Sequence, residues 1–184
     1  MNSASNLPKV SIITPSFNQG QFLEASIRSV LEQDYPNLEY IVVDGGSKDD
    51  SVEVIKKYQD RLAWWVSEKD KGHADALNKG FSRATGEILG WLNSDDIYFP
   101  GAISEAVSVL QRHPEVGMVY GDADLIDDSG EGACYLIIGG DWGLRFRVPG
   151  ASGWNIGDPT QWGEPYLTVP TDDAGLIFCP STHS

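Results

Sequence analysis

The chain has 184 residues, of which 41% are hydrophobic and 22% are charged, and its formal net charge is −14 at pH 7. This composition is typical of a globular protein about one domain long and argues against intrinsic disorder. The acidic charge argues against a nucleic-acid-binding protein, which needs a basic face to neutralise phosphates, and against an electrostatic membrane anchor.

Short apolar runs alternate with segments of helical periodicity through residue 120. In chain order we predict a strand at 10–14, a helix at 22–33, a strand at 39–43, a helix after 48–51, a strand at 63–66, a helix at 74–84, a strand at 87–92, a helix starting at Pro100 and a strand at 116–120. We expect Pro15 to end the first strand, because proline cannot donate to a strand ladder.

This alternation predicts an α/β fold with a mostly parallel central sheet and helices on both faces. Right-handed crossovers place the carboxyl ends of parallel strands at one edge of the sheet. We therefore expect Pro15, Asp44 and Asp95 to converge at that edge, where ligands bind in open α/β sheets.

The last part of the chain has a different character. From residue 130 onward the segment contains half of the 20 glycines and half of the 10 prolines, and clear periodicity is lost apart from a short apolar run at 134–138. Residues 150–165 are typical of loops. We predict an irregular C-terminal tail.

The cysteine pattern, the apolar runs and the first residues of the sequence all argue against export and membrane insertion. Cys134 and Cys179 are far apart and form no C-x-x-C motif, so we expect neither a zinc site nor a disulfide framework, as in a reducing compartment. No run of 18 apolar residues is present, and residues 1–8 are polar. These features predict a cytoplasmic location.

Two adjacent carboxylates, Asp95 and Asp96, follow the predicted strand at 87–92. Hard divalent cations prefer oxygen ligands, and Mg²⁺ typically takes one or two carboxylates together with substrate phosphates. Acids at strand–loop junctions are usually just solvated, so the pair alone does not establish a metal site.

Several ordered blocks of the sequence resemble glycosyltransferase family 2, and in particular a bacterial subgroup that builds extracellular and capsular polysaccharides. The blocks are residues 10–18, 29–35, 39–47, 70–80, 84–96 and 120–124. The resemblance covers about residues 8–130 and implies that this range is the nucleotide-sugar-binding half of a GT-A fold. Residues 131–184 would then be a divergent or truncated acceptor-side segment.

The resemblance implies an inverting, metal-dependent glycosyltransferase. Such an enzyme moves a sugar from a nucleotide-diphosphate sugar to a polysaccharide or lipid-linked acceptor, and peripheral attachment at the inner face of the membrane stays open. The implied cofactor is Mn²⁺ or Mg²⁺, with Asp96 as the direct ligand and Asp95 beside it. The implied nucleotide-binding residues are Pro15, Ser16, Phe17, Asn18, Asp44, Asp75, Asn78 and Asp95.

For several of these residues a simpler interpretation stays open. Without the resemblance, Phe17 is better explained as a core residue and Asn78 as an exposed helical residue, whereas Asp44 is equally explained as a turn or cap residue beside two glycines. His73 and Lys79 would contact phosphate or would only lie on the surface.

Two further functions also stay open. One is a non-catalytic nucleotide-sugar-binding domain, since the tail carries no acceptor-side pattern and predicts no catalytic base. Its only acidic pair, Asp172 and Asp173, lies in a glycine- and proline-rich setting typical of a solvated loop. The other is a sugar-phosphate nucleotidyltransferase, which residues 15–20 disfavour because they lack the arginine of that class's glycine-rich loop.

Overall fold

The computed structural model describes residues 7–120 and, beyond them, the backbone of the segments 123–126, 132–138, 144–147, 154–156 and 177–180. The first part alternates strands and helices in the predicted order. Its elements are β1 (Val10–Ser16), α1 (Gly20–Leu31), β2 (Leu38–Asp44), α2 (Ser51–Tyr58), β3 (Trp64–Ser67), α3 (His73–Phe81), β4 (Ile88–Trp91), α4 (Ala102–Arg112) and β5 (Val119–Tyr120). A 3-10 turn, Gln59–Arg61, follows α2.

The later strands are β6 (Ala123–Ile126), β7 (Gly132–Ile138), β8 (Leu144–Arg147), β9 (Trp154–Ile156) and β10 (Ile177–Pro180). The main sheet has six strands in the order β3-β2-β1-β4-β10-β5, and β6 to β9 form a second sheet. β1 pairs in parallel with β2 and β4, and β2 with β3, whereas β10 lies antiparallel between β4 and β5. The predicted α/β class with a mostly parallel central sheet is confirmed.

The tail contains short strands where the sequence predicts irregular structure. β9 lies inside residues 150–165, and β10 joins the main sheet. Strands of three or four residues are too short to show a period-2 pattern, and β10 pairs with strands that are distant in the sequence. Local periodicity therefore could not reveal them.

The main sheet buries both faces. Ile12 and Val42 belong to the larger core cluster with residues of α1, α2 and α4, while Ile13 and Val43 lie in the cluster on the side of α3. The two clusters take alternate residues of β1 and β2, as the pleat requires. α3 approaches β1 closely, since a Cβ on Gly80 would lie 2.5 Å from Cγ2 of Ile13.

The prediction that Pro15 ends the first strand is wrong, because β1 continues through Pro15 to Ser16. β1 pairs with β4 only from Val10 to Ile13, and beyond that point its strand neighbour is β2. The Ile13 carbonyl accepts a hydrogen bond from the Leu92 N–H on the β4 side. Pro15, two residues later, faces the same side, where the ladder has already ended, so its missing N–H breaks no pairing.

A buried carboxylate joins the strands at the amino edge of the sheet. Glu39, at the start of β2, accepts hydrogen bonds from Ser11 Oγ (2.5 Å) and from the Thr85 N–H (2.7 Å), and it pairs with the Lys9 ammonium at 2.7 Å. Burial by itself raises the pKa of Glu39, but the bonds from Lys9, Ser11 and Thr85 outweigh it and lower the pKa to about 2. This network ties β1, β2 and the segment before β4 together.

Asp49 joins the amino ends of two helices. Its carboxylate accepts hydrogen bonds from the Gly20 N–H (2.8 Å), at the start of α1, and from the N–H (3.1 Å) and Oγ (2.6 Å) of Ser51, at the start of α2. Burial alone would raise the pKa of Asp49, but these bonds lower it below its ordinary value. The N-cap residue of α2 is Asp50, whose side chain makes no capping hydrogen bond. The carboxylate of the preceding residue, Asp49, bonds the first residue of α2 instead, and it also holds the loop that leads from β1 into α1.

Among the described residues, no helix has both the length and the apolar character that are needed to cross a lipid bilayer.

Candidate functional site

A cleft of about 980 Å³ opens at the carboxyl edge of the main sheet, where β1, β2 and β4 end. Its β1 wall is formed by Pro15, Ser16, Phe17 and Gln19. The side chain of Phe17 is 60% exposed, so Phe17 is not a core residue. Gly45 packs closely against this ring and against Asp70, because a Cβ there would lie 3.2 Å from Cδ2 of Phe17 and 2.8 Å from Oδ2 of Asp70.

Two polar atoms in this wall have no hydrogen-bond partner among the described residues. They are the buried Oγ of Ser16 and the buried Oε1 of Gln19. Buried polar groups are normally paired, and an unpaired one carries a desolvation penalty that a bound ligand or water can relieve. Their position in the cleft wall is typical of a binding site.

Asn18 holds the loop after β1 against the loop after β2. Its N–H donates to Ser47 Oγ (2.8 Å), and its Oδ1 accepts from the Lys48 N–H (2.9 Å). Asn18 has φ 52, a conformation that asparagine tolerates better than most residues. Asn18 is outside the described cleft lining, and its contacts shape the cleft indirectly.

Asp44 is fully buried and lies next to Gly45 and Gly46, which line the cleft. Its Oδ2 accepts hydrogen bonds from the N–H groups of Gly46 (3.1 Å) and Ser47 (2.9 Å) and from Ser67 Oγ (2.6 Å), and its Oδ1 is bonded to Ser47 Oγ. These contacts correspond to the turn interpretation of Asp44. Binding of a base by Asp44 stays a prediction.

The loops after β2 and β3 carry two lysines that the sequence analysis did not single out. Lys48 and Lys69 follow the ends of β2 and β3 and line the cleft. Among the described residues neither ammonium forms an ion pair, in a chain whose net charge is −14. The signal available in the sequence was their position just after two strand ends, and the structure places both side chains in the cleft lining.

Asp75 and Asn78, both on α3, lie outside the described cleft lining. Asp75 Oδ2 accepts from the Lys71 N–H (3.2 Å) and lies 3.6 Å from the Lys79 ammonium. That ammonium pairs with Glu68 at 2.9 Å, and this hydrogen bond raises the pKa of Lys79. Asn78 is exposed. The nucleotide-closing roles of Asp75 and Asn78 stay predictions.

The two acids after β4 are each held by an amide. Asp95 lines the cleft, and Gln19 Nε2 lies 3.4 Å from its Oδ2, a long contact. Asp96, beside it, lies outside the described lining, and its Oδ2 accepts from Asn93 Nδ2 at 2.9 Å. In turn, His73 Nε2 lies 3.0 Å from Asn93 Oδ1.

The pKa of Asp96 is raised above its ordinary value. The largest cause is partial removal of its carboxylate from water, although the residue as a whole is exposed, and the nearby charge of Asp95 adds to the rise while the bond from Asn93 opposes it. A cation between the acids would relieve this repulsion.

The donor set fits a hard divalent cation that completes its coordination with ligand oxygens and water. No group of three His, Cys, Asp or Glu side chains within the described part of the chain is placed to hold a metal. Among these residues, however, the Oδ1 atoms of Asp95 and Asp96 accept no hydrogen bond. Two free carboxylate oxygens suffice for Mg²⁺, which usually keeps several waters and binds substrate phosphates.

The family model for glycosyl transferase family 2 matches residues 11–132. An uncharacterized glycosyltransferase of Rickettsia felis is 36% identical over 132 residues, which is 70% of this chain and 22% of that protein. One from Mycobacterium tuberculosis is 38% identical over 119 residues, or 64% of this chain and 45% of that protein. The chain thus spans less than half of the length of either relative.

Solved structures show the same architecture. The mannosyltransferase PcManGT from Pyrobaculum calidifontis, in complex with GDP-Man and Mn²⁺, is 30% identical with a TM-score of 0.58, over 67% of this chain and 37% of that one. S. aureus TarS 1–349 with UDP-GlcNAc has a TM-score of 0.59 over 67% of this chain and 36% of that one, and at 23% identity it supports the fold alone. These are GT-A glycosyltransferases. The fold and the family match through residue 132 together show that this chain belongs to glycosyltransferase family 2.

Proposed function

We propose that this chain is the donor-binding part of an inverting, metal-dependent glycosyltransferase that transfers a sugar from a nucleotide-diphosphate sugar to a saccharide or lipid-linked acceptor. The observation that carries the proposal is the cleft at the carboxyl edge of the sheet. An exposed aromatic ring, Phe17, two lysines without ion pairs among the described residues, and Asp95 all line this one cavity. A nucleoside diphosphate offers a matching set of groups, namely a flat base and a concentrated negative charge.

The residues at the end of β1 would hold the nucleoside. In this proposal Phe17 offers an apolar face to the base, and Pro15 and Ser16 form the wall beside it. Asn18 shapes this wall through its contacts with the loop after β2. The Ser16 hydroxyl, which has no partner within the described part of the chain, would gain one from the ligand.

Asp44, Asp75 and Asn78 keep supporting roles in the proposal. Asp44 holds the turn at Gly46, which lines the cleft, and because Asp44 is fully buried it would reach a base only after this turn moves. Asp75 and Asn78 lie on α3, whose first residue lines the cleft. They would help to close this helix over the bound nucleotide.

Asp95 and Asp96 would hold Mn²⁺ or Mg²⁺ through their free Oδ1 atoms. When bound, the cation neutralises the diphosphate and stabilises the charge that develops on it as the sugar–phosphate bond breaks. The description of PcManGT as a complex with GDP-Man and Mn²⁺, at 30% identity, supports this assignment. Lys48 and Lys69 would bind the diphosphate from the loops after β2 and β3, each as a point charge at the end of a flexible side chain.

Inversion requires attack of the acceptor hydroxyl on the face of the anomeric carbon opposite the diphosphate, with a general base to take the hydroxyl proton. We assign no residue to this base, and the acidic pair Asp172 and Asp173 lies outside the described residues. We place the reaction in the cytoplasm, including the inner face of the membrane where lipid-linked acceptors lie. Polysaccharide biosynthesis in bacteria is the corresponding biological role.

The test is thermal unfolding of the chain with nucleoside diphosphates, with Mn²⁺ or with EDTA. A ligand at 100 times its dissociation constant stabilises the folded state by about 2.7 kcal/mol, so we expect the melting temperature to rise by several degrees with Mn²⁺. The double variant Asp95→Asn/Asp96→Asn should lose the Mn²⁺-dependent part. Asp60→Asn, in the exposed 3-10 turn before β3, is the matched control and should keep it.

A melting-temperature rise that ignores EDTA and survives the loss of both acids would contradict the cation site. Assays of the reaction products on the same preparation distinguish the proposed transferase from the two other functions that the sequence left open. Release of nucleoside diphosphate with saccharide acceptors supports a transferase, while metal-dependent binding without turnover supports a non-catalytic binding domain. Formation of pyrophosphate from a nucleoside triphosphate and a sugar phosphate would instead identify a nucleotidyltransferase.

A further inference from the structure

We infer that His73 is a positioning residue for the cation site, acting through the side-chain amide of Asn93 on Asp96. The inference rests on the proposed function of the cleft. It assigns a role to a residue for which the sequence left two interpretations open, contact with phosphate or a surface position without a function. Its basis is a chain of two side-chain hydrogen bonds that crosses from α3 to the loop after β4.

The chain of hydrogen bonds has a single consistent direction. Asp96 Oδ2 accepts from the amide NH₂ of Asn93 at 2.9 Å, so the amide oxygen of Asn93 faces His73. That oxygen carries no hydrogen, and His73 Nε2, 3.0 Å away, must therefore donate. The bond from His73 and the bond to Asp96 require the same orientation of the Asn93 amide.

Hydrogen bonds fix the main chain of Asn93, so the orientation of its side-chain amide is what can still change. The Asn93 carbonyl oxygen accepts from the Asp96 N–H (3.1 Å) and from Ser26 Oγ (3.1 Å) on α1. A half-turn of the amide would leave these bonds intact but would point its oxygen at the Asp96 carboxylate. The donor on His73 disfavours that half-turn, because the turned amide would present NH₂ to Nε2–H.

A correctly oriented amide matters for a cation ligand. With Asn93 bonded to Oδ2, Asp96 keeps Oδ1 available toward the cation. With the amide reversed, two oxygens would face each other and the carboxylate would rotate away. Groups that orient a ligating carboxylate typically contribute about 10–100-fold to metal affinity.

His73 is well placed to act as a fixed donor. It is the first residue of α3, and α3 is packed on β1 through the buried Ala76 and the close contact of Gly80 with Ile13. The packing of α3 thus fixes the backbone from which the exposed His73 side chain reaches the cleft, where His73 is one of the lining residues.

The experiment measures affinity for UDP and, in parallel, for GDP by calorimetry, once with saturating Mn²⁺ and once with EDTA. We expect His73→Ala to weaken binding with Mn²⁺ by about tenfold and to leave binding in EDTA within about twofold. His73→Gln keeps an N–H donor of similar reach and should restore most of the Mn²⁺-dependent affinity. His113→Ala is the matched control, since His113 is also bonded to a side chain, that of Glu115, but lies at the end of α4.

A double-mutant cycle tests the route through the amide. In the Asn93→Ala background, removal of the His73 ring should have no further effect, because the two residues act as one unit. Equal weakening with Mn²⁺ and in EDTA would overturn the inference and indicate direct contact of His73 with phosphate. Wild-type affinity in His73→Ala, or fully additive effects in the cycle, would overturn it as well.

The same data separate this inference from the proposed function. If the wild-type chain binds UDP and GDP no more tightly with Mn²⁺ than in EDTA, the metal-dependent function is wrong and the role of His73 falls with it. If Mn²⁺ strengthens wild-type binding and His73→Ala behaves like the wild type, only the role of His73 is wrong.

Discussion

At the scale of single residues, Phe17 stands out because it is a large apolar side chain left in water. The described residues contain two exposed large hydrophobic side chains, Phe17 at 60% and Ile97 at 37%. Phe17 lies against Gly45 in the cleft, whereas Ile97 is outside the described lining. An aromatic ring at a binding site gives stabilisation to the complex and not to the free fold.

We predict that Phe17→Ala weakens nucleoside diphosphate binding by about tenfold, because stacking of a base on an aromatic ring contributes about 1–3 kcal/mol. The melting temperature of the unliganded protein should change little, since the ring is mostly exposed. Calorimetry and thermal unfolding measure the two effects, and Ile97→Ala is the control. Unchanged affinity together with a large loss of stability would show that Phe17 supports the fold instead.

At the scale of elements, the packing of α3 against β1 determines where one wall of the cleft lies. Glycine inside a helix is normally less favourable than alanine by about 1 kcal/mol, so the presence of glycine at position 80 of α3 requires an explanation. The reason is Ile13, which is fully buried and leaves no room for a Cβ at Gly80. The helix can lie this close to the sheet only without a side chain at that position.

We predict that Gly80→Ala lowers the free energy of unfolding by about 1–3 kcal/mol, because overpacking outweighs the gain in helix propensity. Urea unfolding measures it. Gly117→Ala is the control, since a Cβ there meets no atom of the described part of the chain within 4 Å. Combining Gly80→Ala with Ile13→Ala should cost less than the sum of the two changes, and stabilisation by Gly80→Ala alone would contradict the contact.

At the scale of the whole molecule, the two edges of the main sheet differ in how their polar groups are paired. At the amino edge the carboxylate of Glu39 is paired and hydrogen-bonded, whereas at the carboxyl edge the Oγ of Ser16 and the Oε1 of Gln19 have no partner among the described residues. Glu39 is 8% exposed, and its pKa of about 2 lies below the ordinary value of 4.5. A lowered folded-state pKa means that ionised Glu39 stabilises the fold.

We predict that Glu39→Gln lowers the free energy of unfolding at pH 7 by roughly 2 kcal/mol. The contribution of Glu39 is fully present above pH 4.5 and is lost as the pH falls toward 2, so the difference between wild type and variant should shrink over that window. Urea unfolding at pH 7, 5 and 3 measures this, with the exposed Glu53→Gln on α2 as control. A difference that stays constant down to pH 3 would contradict a strongly lowered pKa.

Much of the architecture follows from the sequence because it is encoded locally. The order of strands and helices through β5 was predicted from periodicity, and the family was recognised from blocks that the family match through residue 132 confirms. The convergence of Pro15 and Asp95 in one cleft follows from the parallel connections. Asp44, Asp95 and Asp96 could be placed near strand ends from the sequence, because each follows a predicted strand along the chain.

Only the tertiary structure decided which way individual groups face and which distant strands pair. Asp44 follows β2 as predicted, yet its carboxylate is turned inward onto Ser67 and its own turn, while Lys48 and Lys69 face the cleft. β10 lies between β4 and β5 although nothing near it in the sequence indicates this. The physical reason is that periodicity records only which face a segment buries, whereas side-chain direction at a strand end and strand pairing depend on partners that are far away in the chain.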